Sequence, residues 1–119
     1  MEKKIIYQDK KDTVEDCMSA QTTLKCAEAY LFDQITYYAD EMPTEAEWLC
    51  YFVALALYEL EKGTILPKTE ETVTYRIYQY EHFKKYKNAF EDNELLDRDI
   101  DKIKSLMHLR FEDLACFEG

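Results

Sequence analysis

The sequence predicts an all-α protein, an antiparallel helical bundle of about four helices forming a single domain over 1–119. Three observations predict it. Strong internal breaks are scarce, being limited to Pro43, Gly63 and Pro67. Apolar residues recur at helical spacings. Acids stand early and bases late in the later segments, the polarity that helix dipoles favour. A chain of 119 residues, 47% of them apolar, fits one domain with its own core, and disorder is not expected.

Residues 1–11 are compatible with an extended segment. Asp12 followed by Glu15 has capping-box character and opens the first stripe. Cys17, Ala20, Leu24, Ala27, Leu31 and Tyr38 then carry that stripe to about Asp40. Ser19 to Thr23 form helix weakly, so the stripe can split there. Thr44 with Glu47 is a cleaner capping box after Pro43, and it starts a helix over 45–62 that Gly63 ends in the left-handed region. Trp48 to Tyr58 is apolar throughout, which marks this helix as the central one.

Residues 72–80 have strand composition, rich in β-branched and aromatic side chains. They also have helical spacing, through Val73, Ile77, Tyr80, Phe83, Tyr86 and Phe90. Charge placement decides for helix, because Glu70 and Glu71 stand at its start and Lys84, Lys85 and Lys87 at its end. A last helix starts near Asp92 or Asn93 and carries Leu96, Ile100, Ile103 and Met107 on one face. Phe111 to Phe117 is an apolar tail that extends this helix or folds back.

Familiar chemistry is hard to find. The two glycines, Gly63 and Gly119, exclude a glycine-rich phosphate cradle. His82 and His108 are the only histidines, and neither is preceded at three residues by the Glu that a bundle di-iron site needs. Asp97, Asp99 and Asp101 resemble the opening of a calcium loop, but Lys102 and His108 occupy its turn and bidentate positions. That stretch reads as a solvated helix face. Cys17, Cys26, Cys50 and Cys116 lie far apart with no C-x-x-C pair, and read as reduced core residues. No catalytic, cofactor or metal site is expected. The longest apolar run, eleven residues, is half a bilayer span, and no secretory signal stands at Met1. The expectation is a soluble, cytoplasmic protein with no membrane partner.

Charge says more. The formal net charge is −10. Residues 1–43 carry −4, 44–63 carry −3, 64–90 carry +2 and 91–119 carry −5. A surface that repels phosphate argues against nucleic acid as a partner. Ten tyrosines exceed what the core needs, and tyrosine is an aromatic that interfaces favour. An acidic, tyrosine-bearing surface suits a basic protein partner.

The stretch Phe52-Val53-Ala54-Leu55-Ala56-Leu57-Tyr58-Glu59-Leu60-Glu61-Lys62-Gly63, followed by an apolar pair, Pro67 and a charged helix, resembles the third immunity-protein family of bacterial polymorphic toxin systems. A last helix with Arg98 and a lysine-bearing apolar stripe adds to the resemblance, while Tyr86 stands near the position of a family tryptophan. The resemblance implies a small intracellular helical protein that neutralises a cognate toxin domain, without catalysis of its own. It carries over no toxin-contacting residue. Charge density and expected exposure select Glu91, Asp92, Glu94, Asp97 and Asp101, with Tyr75 and Tyr78, as the candidate partner-binding residues. The alternatives are an acidic inhibitor that mimics nucleic acid, and a helical enzyme built around His82 or His108.

Overall fold

A computed structural model describes residues 4–37 and 42–108. Among these the protein is all-helical: α1 (Tyr7–Ser19), α2 (Leu24–Tyr37), α3 (Glu45–Glu61), α4 (Pro67–His82), α5 (Lys84–Lys87) and α6 (Asn93–Met107). There are more helices than the sequence suggests because two stripes are broken, each for a local reason. The expected helix end at Asp40, the Phe111–Phe117 tail and Cys116 lie outside the described residues.

The first stripe divides at residues 20–23. Thr23 starts α2, its Oγ1 accepting the Cys26 N–H at 3.1 Å and its carbonyl the Ala27 N–H at 2.9 Å. The start of α1 differs from the sequence expectation. It begins at Tyr7, not Asp12, and Asp12 lies inside it, accepting from Gln8 Nε2 at 2.7 Å. The cause is tertiary. Ile5 is held in an isolated parallel bridge with Phe90, its N–H donating to the Ala89 carbonyl and its carbonyl accepting from the Glu91 N–H. Tyr7, wholly buried, fixes the first turn from there.

The capping box of α3 is present in both directions: Thr44 Oγ1 accepts the Glu47 N–H, and the Glu47 carboxylate accepts the Thr44 N–H. At its far end Gly63 adopts φ +96°, with its N–H on the Leu60 carbonyl and the Thr64 N–H on the Glu59 carbonyl. That pair of bonds is a Schellman stop. A Cβ on Gly63 would meet nothing within 4 Å, so only backbone strain opposes a side chain there. Gly63→Ala is therefore expected to cost about 1 kcal/mol and Gly63→Asn less, since Asn tolerates the left-handed region. Urea unfolding should show a lower midpoint with an unchanged m-value.

Residues 67–82 are helix, as the charge argument predicts, with Pro67 in the first turn. The helix does not continue to Phe90. Phe83 leaves helical geometry at φ −117°, ψ 106°, and the lysines expected to close α4 form the separate turn α5. A continuous helix would carry Phe90 about 15 Å along the axis from Tyr80. The break instead folds the chain back, so that the two rings meet at 5.7 Å and Phe90 is buried.

At the centre lies α3, packed against α1, α4 and α6. Phe52 to Leu57 are all buried, joined in the core by Val14, Leu31, Val73, Ile77, Leu96, Ile100 and Ile103. Among the described residues no helix is long and apolar enough to cross a membrane. Of the cysteines, Cys50 is buried, Cys17 half-buried and Cys26 exposed, so the core assignment does not hold for Cys26. Burial pushes the Cys50 thiol up to about 12.

Candidate interaction surface

The acidic residues come from the start of α6 and the link before it. Within α6, Glu94, Asp97 and Asp101 follow one another at spacings of three and four and are exposed, so they share an outward face. Glu91 is exposed and Asp92 half-buried. The backbone of Glu91 is fixed by its bond to Ile5, and the start of α6 is tied down by Asn93 Nδ2, which donates to the Lys87 carbonyl at 2.9 Å.

Two shallow depressions flank this region. One, of about 410 Å³, is lined by Lys4, Ile5, Ile6, Asp9, Lys10, Glu47 and Glu91. The other, of about 380 Å³, is lined by Gln8, Asp92, Glu94, Leu95 and Arg98. They adjoin through the neighbouring pairs Gln8–Asp9 and Glu91–Asp92. Neither is lined by a histidine or a cysteine, and His82 and His108 are both exposed.

Five cations among the described residues are paired with other carboxylates. Lys10 pairs with Glu47, Lys11 with Asp99, Arg76 with Glu45, Lys102 with Glu61 and Lys104 with Glu81. Among the described residues no cation lies within 4 Å of the carboxylates of Glu91, Asp92, Glu94, Asp97 or Asp101. Asp97 accepts the Tyr80 hydroxyl at 2.6 Å, which pins its carboxylate against α4. Burial first, then the hydrogen bond to Asp97 and the Asp97 charge, hold the Tyr80 phenol above its usual range.

The two tyrosines do not join this face. Tyr75 is 41% exposed and accepts from Gln79 Nε2. Tyr80 and Glu81, the α4 residues bonded to α6, lie about 140° one way and about 120° the other way round the helix from it. Tyr78 is 4% exposed, against the expected exposure, and its ring packs on His82 one turn ahead at 4.5 Å between centroids.

Sequence reasoning missed two buried polar clusters. Asp99, taken for part of a solvated face, is buried and accepts from both the Tyr7 hydroxyl and Lys11 Nζ at 2.8 Å. Asp99 points inward while Asp97 and Asp101 face solvent, so the three acids do not converge. Among the described residues no group of three or more His, Cys, Asp or Glu is arranged to hold a metal ion. The second cluster joins Glu59, fully buried, to the Leu66 N–H at 2.9 Å and to the Thr69 hydroxyl, which also meets Glu28.

No protein-family model matches this chain, and searches of curated proteins and of solved structures also find no match.

Proposed function

We propose that this protein is a non-catalytic binder that neutralises a basic protein toxin domain, in the manner of an immunity protein. It would act by covering the toxin's active site or substrate groove with the acidic face at the start of α6. One observation carries this reading: Glu91, Glu94 and Asp101 are exposed, border two shallow depressions or continue their face, and among the described residues none of the three is ion-paired within 4 Å, although Lys4, Lys10 and Arg98 line the same depressions. Carboxylates without an ion-pair partner among the described residues keep their field available to steer a basic surface. The net +2 of residues 64–90 interrupts the acidic segments on either side of it, which favours this over a nucleic-acid mimic. A mimic would space carboxylates regularly over the whole surface. Tyr75 stays a candidate contact on a separate face, and Tyr78 offers little surface to a partner.

The test is association kinetics with a basic toxin domain, sought first in the gene that neighbours the one for this chain. Glu91→Lys with Glu94→Lys and Asp101→Lys is expected to slow association by about tenfold or more at low salt, with a smaller change in dissociation. Charge reversal of the exposed Asp16 on α1, Asp33 on α2 and Glu71 on α4 is the control, since it changes the net charge equally and leaves the α6 face intact. Unchanged kinetics in the α6 variant removes this face from the mechanism, and failure of the unmodified chain to bind the toxin removes the function.

A further inference from the structure

We propose that Glu28, Thr69 and Glu59 form a proton-operated latch that fastens α2 to the α3–α4 pair. The argument begins with hydrogen-bond stoichiometry. Thr69 Oγ1 lies 2.7 Å from Glu28 Oε2 and 3.2 Å from Glu59 Oε2, and Thr69 is 1% exposed. A hydroxyl has one proton to donate, so with both carboxyls ionised one of these contacts brings oxygen lone pairs together without a hydrogen. A proton on one carboxyl removes the conflict. The acid then donates to Thr69 Oγ1, and Thr69 donates to the other carboxylate. One proton thereby completes a chain that runs from α2 through α4 to α3.

Glu59 is the natural holder. It has no exposed surface, and its other oxygen is occupied by the Leu66 N–H at the start of α4. Burial raises its carboxyl from the ordinary 4.5 to about 7, the adjacent Glu28 carboxylate adding to the rise and the Leu66 N–H and Thr69 hydroxyl opposing it. The cations that could stabilise a second charge are turned elsewhere. Beside it on α3, Lys62 lies over the Tyr58 ring at 5.4 Å, and Lys102 of α6 is with Glu61 at 3.7 Å. From α1, Lys10 and Lys11 are held by Glu47 and Asp99. Lys25 of α2 and Lys68 of α4 are exposed.

The linkage has a definite sign. A carboxyl whose folded value lies above its unfolded one lends stability that is complete below about 4.5 and is lost as pH rises through about 7. Above that, Glu59 gives its proton to water, two neighbouring carboxylates face one hydroxyl, and the contact of α2 with α4 loosens.

A built-in reporter exists. Trp48 is the only tryptophan, and on α3 it faces Phe32 of α2 at 5.8 Å between ring centroids. Two measurements on the full chain test the latch. In amide hydrogen exchange corrected for intrinsic rate, protection of α2 should fall by up to about tenfold between pH 6 and pH 8, with a red shift of Trp48 emission. Glu59→Gln, which keeps an acceptor for the Leu66 N–H and a donor toward Thr69, should hold the protected state at both pH values. Carbon-13 NMR of the side-chain carboxyls should give Glu59 a midpoint near 7, moving down in Glu28→Gln. Equal α2 protection at both pH values in the unmodified chain overturns the proposal. So does a pH response that survives Glu59→Gln, or an ordinary Glu59 midpoint.

Discussion

Asp99→Ala is expected to lower the unfolding free energy by about 3 kcal/mol, near the lower end of what breaking a buried ion pair costs. The Asp99 carboxylate is 7% exposed and holds two groups of α1 at 2.8 Å, the Tyr7 hydroxyl and the Lys11 ammonium. Truncation strands the two unequally. The Lys11 side chain is 20% exposed, so its head can turn into water and recover most of its hydration. Tyr7 cannot, because it is wholly buried and its hydroxyl keeps no acceptor, at a cost of about 1–3 kcal/mol. Its phenol is already held well above its usual range, by burial first and then by the Asp99 charge, so release of its proton offers no escape. The check is a double-mutant cycle with Tyr7→Phe by urea unfolding at pH 7. Tyr7→Phe alone should cost about 1 kcal/mol, and should instead recover about 1–3 kcal/mol once Asp99 is alanine, because it removes the stranded hydroxyl. Additive losses, or a loss below about 1 kcal/mol for Asp99→Ala, would mean that the triad does not fasten α1 to α6.

The same residue marks where the sequence was legible and where it was not. Elements announced by neighbouring residues were readable: Thr44 with Glu47 at the start of α3, Gly63 at its end, and the acid-to-base order of α6. Elements set by distant residues were not. The start of α1 depends on Ile5 pairing with residues 89–91, and the end of α4 on Phe90 returning to Tyr80. Asp99 did carry a signal. It stands three residues after Leu96 and four before Ile103, inside the buried stripe, while the alternate aspartates Asp97 and Asp101 face solvent. An acid in a core stripe needs partners, and Tyr7 with Lys11, four apart on α1, supply them. Glu59 repeats the case, four residues after Leu55 on the buried side of α3. For the candidate surface, local charge density points to the α6 acids, but it could not tell that Tyr78 is buried or that Tyr75 lies on another face.

Leu55→Ala is expected to be about as damaging, through shape and not charge. Leu55 is 1% exposed at the middle of the helix against which α1, α4 and α6 all pack. Its immediate neighbours Ala54 and Ala56 are small and buried too, which fits the close approach of helices on several sides. A hole opened at Leu55 can close only if whole helices shift, and those are fixed by the Tyr7–Asp99–Lys11 triad and by the Tyr80–Asp97 bond. The cavity should therefore stay largely open, costing about 3–4 kcal/mol and lowering Tm by about 10–15 °C. Leu55→Met, which nearly conserves volume, should cost less than about 1.5 kcal/mol. Leu106→Ala, at 49% exposure, should stay within about 0.5 kcal/mol and serves as the control for helix propensity. Calorimetry on the three variants decides the matter: a Leu55→Ala loss no larger than that of Leu55→Met would mean that the centre of α3 relaxes freely, and that this helix is not the rigid axis on which the acidic face is held.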